Sequence, residues 1–222
     1  MVGGCGLTKS ELDGTFKVPY SRNMDNKPIK GEYLEALLRS SKTVFTTEDV
    51  VLLWGEDNRN AVSIRLKKYV REGKLVRIRR GLYAKDEKFD RFEMATRIYT
   101  PSYISFETIL TRTGVNFQHY GNIFVASYLT RDIEAGGQKI SFVRMKDYVL
   151  SDPAGIEYPG GVATATKERA FLDRIYVTKD YHFDNLGALD WDKVFAILPI
   201  YRNQRMDKTV RGFFDHLRST KV

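Results

Sequence analysis

Cysteine is almost missing from this chain of 222 residues: there is one, Cys5. A single thiol excludes an intramolecular disulfide and any cysteine-rich zinc site, and it fits a reducing, cytoplasmic setting. Histidine is nearly as scarce. His119, His182 and His216 are spread over about a hundred residues and never fall within metal-ligand spacing of one another. No apolar run approaches the length of a membrane span. The opening stretch MVGGCGLTKSELDG sets a cysteine after small residues, as lipoprotein signals do. It lacks the basic and apolar segments that must precede such a cysteine, so that role is set aside. P-loop and G-x-S-x-G patterns are absent. Cys5, in a glycine-rich arm, has no evident base to activate it. His119 beside Tyr120 reads as a loop or core histidine. The expectation is a protein that is not an enzyme and carries no cofactor and no metal.

What the chain does have is aromatic bulk and a localised charge. Thirteen Phe, thirteen Tyr and 42% hydrophobic residues are enough to fill real cores. The formal net charge is +8. Residues 58–80 alone hold nine basic side chains (Arg59, Arg65, Lys67, Lys68, Arg71, Lys74, Arg77, Arg79, Arg80) against one acid, Glu72. That segment therefore accounts for the whole excess, and the rest of the chain cancels. Basicity concentrated in this way points to a local polyanion site.

The periodicity around that segment is informative. Tyr33, Leu34, Leu37 and Leu38 share one helical face. Thr46 is an N-cap with Glu48 and Asp49 in the first turn, Val50, Leu53 and Trp54 make an apolar stripe, and Gly55 stops the helix. Asp57 or Asn58 caps a third helix that runs to about Glu72 and ends at Gly73. At 100° per residue, Val62, Leu66, Tyr69 and Val70 face the core. Asn60, Ser63, Ile64, Lys67, Lys68 and Arg71 form a polar, cationic face. A helical phase error of about 20° would exchange Ser63, Arg65 and Arg59 between faces.

After Gly73 the period changes to two. Leu75–Arg79 and Leu82–Lys85 read as a hairpin, with Arg79, Arg80 and Gly81 at its tip, and Thr43–Phe45 could add a third strand. Three helices and a hairpin make the winged helix-turn-helix pattern. Such a helix fits the major groove, where Asn60, Ser63, Lys67, Lys68 and Arg71 can reach base edges or phosphates and Ile64 can contact a thymine methyl. Arg77, Arg79 and Arg80 on the hairpin can reach the backbone or the minor groove. The competing reading is a solvated charged face. The one-sidedness of the charge favours double-stranded DNA.

From about Asp86 the composition shifts. Residues 89–115 read as two helices, with Pro101 breaking the first and Ser102 or Ser105 capping the second. NIFVASYL and KISFVRMK read as strands separated by a loop, TRDIEAGG. TKERAFLDRIYV is a helix capped by Thr166, with Ala170, Leu172, Ile175 and Tyr176 packing. The Asp190/Asp192 pair caps a further helix, and Pro199 separates it from the last. PSYISF and RGFFDHL read as core, although an exposed Phe213/Phe214 cluster would mark a partner surface. The expected fold class is α+β. The expected organisation is an arm over 1–27, a winged helix-turn-helix domain over 28–86, and a mixed second domain over 87–222 with a small sheet and several helices.

Four stretches, VRIRRGLYA, YTPSYISFETILTRTGV, IFVASY and ATKERAFLDRIY, occur in this order, and the likeness they carry extends over about residues 30–218. In them the chain resembles the AbiEi family of antitoxins from type IV toxin–antitoxin systems. One departure is visible: where the family usually has Ala-Thr-Pro-Glu-Lys, this chain has Ala165-Thr166-Lys167-Glu168-Arg169. Proline is favoured but not required at a first helical position. The resemblance implies an N-terminal winged helix that binds inverted repeats in its own promoter and represses it. It also implies a C-terminal antitoxin domain, and a nucleotidyltransferase-like toxin encoded alongside that is countered without a stable complex. A homodimer on the repeat would follow from the symmetry of such a site. The competing reading is a stand-alone regulator whose second domain senses a ligand or mediates dimerisation.

Overall fold

The computed structural model describes residues 31–220. The arm and Cys5 lie outside the described residues. The first unit runs α1 (Tyr33–Arg39), β1 (Val44–Thr46), α2 (Thr47–Trp54), α3 (Arg59–Arg71), β2 (Val76–Arg79) and β3 (Leu82–Ala84). Thr46 and Asp49 close a capping box at the start of α2: the Asp49 N–H donates to the Thr46 hydroxyl at 3.0 Å, and the Thr46 N–H donates to Asp49 at 2.9 Å. Gly55 ends α2 in the left-handed region at φ 59°. Asn58 caps α3 by accepting from the N–H groups of Asn60 and Ala61. Leu37, Val50, Trp54, Val62 and Leu66 are buried together with Phe45, Leu75 and Tyr83. Leu38, expected on the α1 face, is instead 50% exposed, because it lies about 100° around from Leu37 on a helix covered on one side only.

The three short strands form an antiparallel sheet in the order β1-β3-β2, with Phe45 opposite Tyr83 and Val44 opposite Ala84. Strand alternation sends Phe45 and Tyr83 to the helical side. Val44, Leu82 and Ala84 point the other way, into a second and larger core, where the partly buried Val76 and Ile78 also pack. The sheet is thus covered on both faces.

That second core belongs to α4 (Arg91–Ile98), β4 (Ser102–Ile104), α5 (Glu107–Arg112), β5 (Ile123–Ser127), β6 (Arg131–Ala135), β7 (Gln138–Arg144), α6 (Asp147–Leu150), β8 (Ile156–Glu157), β9 (Thr164–Ala165), α7 (Lys167–Val177), α8 (Trp191–Ile197) and α9 (Gln204–Thr220). The strands make one mixed sheet, β6-β7-β5-β4-β9-β8. The fold is α+β.

Three details differ from the sequence expectation. TRDIEAGG is not a loop: Arg131–Ala135 is an edge strand antiparallel to β7, turning through Gly136 and Gly137, both at positive φ. The two apolar runs on either side of it, β5 and β7, are therefore parallel neighbours. Within the stretch read as two helices, Ser102–Ile104 is a strand near the middle of the sheet. Ser105 does not cap α5. Its hydroxyl is donated to the buried carboxylate of Asp173 at 2.7 Å, and Phe106, at φ 53°, starts the helix without a side-chain cap. Elsewhere Thr166 caps α7, and Asp190 caps α8. Phe213 packs on Phe171 and Phe183, and Phe214 on Trp191 and Phe195, so these rings are in intramolecular contacts rather than forming a free aromatic surface.

Candidate nucleic-acid interface

Helix α3 presents two unlike faces. Val62 and Leu66 are fully buried, whereas Asn60, Ile64, Lys67, Lys68 and Arg71 are exposed and Ser63 is half-buried. Ile64 is 68% exposed, a large apolar side chain held out among cations. On the hairpin, Arg77, Arg79 and Arg80 are exposed. Arg77 stands opposite Tyr83, which places it on the sheet face that carries the helices; a bulge follows before Arg79.

A short chain of contacts holds the hairpin tip at the start of the helices. The Thr47 N–H donates to the Gly81 carbonyl at 3.1 Å, and Arg59 at the start of α3 pairs with Glu48 of α2 at 3.3 Å. Gly81 itself sits at φ 78°, a conformation that favours glycine at this turn.

Not every cation of residues 58–80 is available. Arg65 lies over the Tyr33 ring at 4.0 Å and within 5.5 Å of the Trp54 ring, so it is a packing residue. Lys68 and Lys74 both lean on Glu72, at 3.8 and 2.8 Å. The hydrogen bond from Lys74 holds the Glu72 carboxyl below its usual range. Lys67, Arg77, Arg79 and Arg80 have no ion-pair partner among the described residues. Sequence phase placed Lys67 on the cationic face and left Arg65 at its boundary. The signal that separates them is a pair of aromatic residues, Tyr33 and Trp54, brought to α3 by two other helices.

The seam between the units is polar as well as apolar. Glu93 of α4 accepts from the N–H and the hydroxyl of Thr43, at 2.8 and 2.7 Å. Arg97 of α4 reaches Asp49 at 3.0 Å, and Lys42 reaches the same carboxylate at 2.8 Å.

In the second unit the sequence reading missed a buried ionic network. Arg169 and Asp173, one turn apart on α7, are both fully buried and 3.2 Å apart. Arg169 also donates to the carbonyls of Val149 and Ala154, each at 2.6 Å, and to the Tyr103 hydroxyl at 2.9 Å. Asp173 accepts from Ser105 and Tyr201 at 2.7 Å and from Tyr103 at 3.2 Å. Burial and the Asp173 charge push the Tyr103 and Tyr201 hydroxyls well above the usual tyrosine range, so both remain donors. The i, i+4 spacing of Arg169 and Asp173 amid apolar residues was the available signal. A second ion pair, Arg174 with Glu107, ties α7 to α5. Among the described residues no group of three or more His, Cys, Asp or Glu could hold a metal ion. No helix among them is long and apolar enough to cross a membrane.

The span from α1 to the last residue of β3 is also where the chain meets a known family. Residues 32–84 match the family model described as a transcriptional regulator, AbiEi antitoxin. The match covers this first unit, about a quarter of the chain. No curated protein matches the chain. Among solved structures, the RV2827C protein from Mycobacterium tuberculosis is similar at 12% identity and a TM-score of 0.46, covering 80% of this chain and 74% of that one.

Proposed function

We propose that the AbiEi-type unit is a winged helix-turn-helix in which α3 enters the major groove of duplex DNA and the β2–β3 hairpin acts as the wing. The observation that carries this is the group of four cations, Lys67, Arg77, Arg79 and Arg80, left without acidic partners on the same unit as an outward-facing Ile64. In this reading Asn60, Ser63, Ile64 and Lys67 face base edges, while Arg71, Arg77, Arg79 and Arg80 contact the sugar–phosphate backbone, joined by Lys68 once it leaves Glu72. The chain is then an antitoxin and autorepressor in the cytoplasm. It binds inverted repeats in its own promoter as paired molecules, and its second unit counters a nucleotidyltransferase-like toxin. It works by binding rather than by catalysis, since the fully buried carboxylate in the second unit, Asp173, is committed to an ion pair and three hydroxyls. A stand-alone regulator is the second reading; it is favoured by the contact of Arg97 with the capping box of α2, which couples the second unit to the reading head.

The test is binding of the intact protein to its own upstream duplex and to a scrambled duplex across a salt series, beside a variant with Asn60, Lys67, Arg79 and Arg80 all changed to Ala. Sequence-selective binding that weakens steeply with salt and is lost in the variant supports the proposal. A wild type that binds neither duplex at low salt refutes it.

A further inference from the structure

A second cationic surface lies far along the chain from α3, where β7, α6 and the start of α9 converge. A groove of about 700 Å³ runs there between Arg144, Lys146, Tyr148 and Tyr176, within the range of roughly 300–1,000 Å³ typical of small-molecule sites. The Lys146 ammonium lies 5.9 Å from the centre of the Tyr148 ring, and the Arg202 guanidinium lies 5.1 Å from it. Two cations therefore share one aromatic side chain, and Arg144 lines the same groove. None of the three has an ion-pair partner among the described residues. The one carboxylate in the lining is Asp147. Two lining cations, Arg144 and Lys146, against one acid leave the groove net positive, and Arg202 adds its charge from beside it, over the Tyr148 ring.

The backbone gives a second, independent observation. Arg202 adopts φ 48° and ψ 45°, a left-handed conformation that residues with a Cβ rarely occupy. It sits at the end of a 3-10 turn, Leu198–Tyr201, where glycine would be the unstrained choice. An arginine held in such a place, with its side chain brought back over Tyr148, is the kind of local cost found at binding sites. The hydroxyls are ordered too. Tyr148 donates to the Tyr201 carbonyl at 3.3 Å. Burial and a hydrogen bond with Tyr148 push the Tyr176 hydroxyl up to about 12, so it stays protonated at neutral pH.

We infer that this groove binds a nucleotide, with Arg144, Lys146 and Arg202 receiving the phosphate and Tyr148 and Tyr176 offering faces to the base. Phosphate needs uncompensated cations, and a base of any identity stacks on tyrosine rings and guanidinium planes. The same chemistry is presented by a free mononucleotide and by the end of a single strand. The inference does not rest on the α3 reading, since no residue is shared between the two surfaces.

The experiment is equilibrium binding of AMP, and of a single-stranded RNA hexamer with a terminal phosphate, to the full chain. Wild type is compared with the triple variant R144Q/K146Q/R202G and with K67Q/R79Q/R80Q. Glycine at 202 removes the charge while accepting the left-handed backbone, so the triple variant is expected to melt no earlier than wild type. The expected result is binding weakened at least about tenfold in the groove variant and retained in the α3 variant, as removal of phosphate and stacking contacts dictates. Displacement of the hexamer by AMP would identify the free nucleotide as sufficient, and binding of the hexamer alone would identify a strand end. Absence of binding by either probe, or loss confined to the α3 variant, would overturn the inference.

Discussion

Arg97 of α4 and Asp49 of α2 meet at 3.0 Å, and through that contact the second unit touches the capping box that starts α2. Asp49 does three things at once: it caps Thr46, pairs with Lys42 and receives Arg97. Burial would raise its carboxyl. The Lys42 hydrogen bond, the Thr46 N–H and the Arg97 charge outweigh that and hold it below the usual range. A carboxyl depressed in the folded state stabilises the fold above its unfolded value, about 3.9, and that contribution is lost as pH falls through the folded value. Asp49→Asn is therefore expected to lower stability at neutral pH by about 1–2 kcal/mol and to flatten the loss of stability below about pH 4. Urea unfolding at several pH values measures both. A variant that keeps the wild-type acid slope would remove Asp49 from this role.

Lys67 and Arg65 are two residues apart on α3 but differ in environment. Lys67→Ala is expected to weaken binding to the specific duplex by about 1–3 kcal/mol if it reads a base, and equally on all sequences if it meets a phosphate. Arg65→Met is expected to leave the slope of affinity against salt unchanged, because its guanidinium is spent on Tyr33 and Trp54. A shallower slope for Arg65→Met would show that its charge reaches DNA after all.

Breaking the Arg169–Asp173 pair from one side leaves a charge buried without its counter-ion. Asp173→Asn is expected to destabilise the fold by about 3–5 kcal/mol. The double change Arg169→Met/Asp173→Leu removes both charges and should cost less than the sum of the single changes. Thermal and chemical unfolding of the three variants form the cycle that checks this.

Gly155 lies at φ 72°, and a Cβ there would sit 2.7 Å from Ile197 Cδ1 and 2.8 Å from Arg169 Cβ. Gly155→Ala combines an unfavourable backbone with a collision against the buried arginine. A loss of about 2 kcal/mol or more is expected, read as a drop in melting temperature. Alanine at Gly160, which is also left-handed but has open space around it, should cost only the backbone part.

The elements whose signals are local were legible in the sequence. Thr46, Gly55, Asn58 and Thr166 mark helix ends through their own side chains or lack of one, and α3 showed its buried stripe through Val62 and Leu66. The edge strand β6 was not legible, because RDIEA is charged and alternates weakly. It is a strand through its ladder to β7, a non-local cause. Ser105 looked like a helix cap because nothing nearby announces Asp173, 68 residues away. The cationic face of α3 could be placed by periodicity, yet which of its charges are free depended on Glu48, Glu72, Tyr33 and Trp54. The groove beside Tyr148 brings together residues from three separate stretches and gave no signal at all.

The small β1-β3-β2 sheet packs against a core on each of its faces. Val44, Leu82 and Ala84 look into one core while Phe45 and Tyr83 look into the other. A fragment cut after Asp86 would keep its helices but bare one side of that sheet to water, an apolar stripe on short strands of the kind that invites self-association. The first unit is thus a part that cannot be detached cleanly, and any force that loosens the second unit is felt in the strands that carry the hairpin.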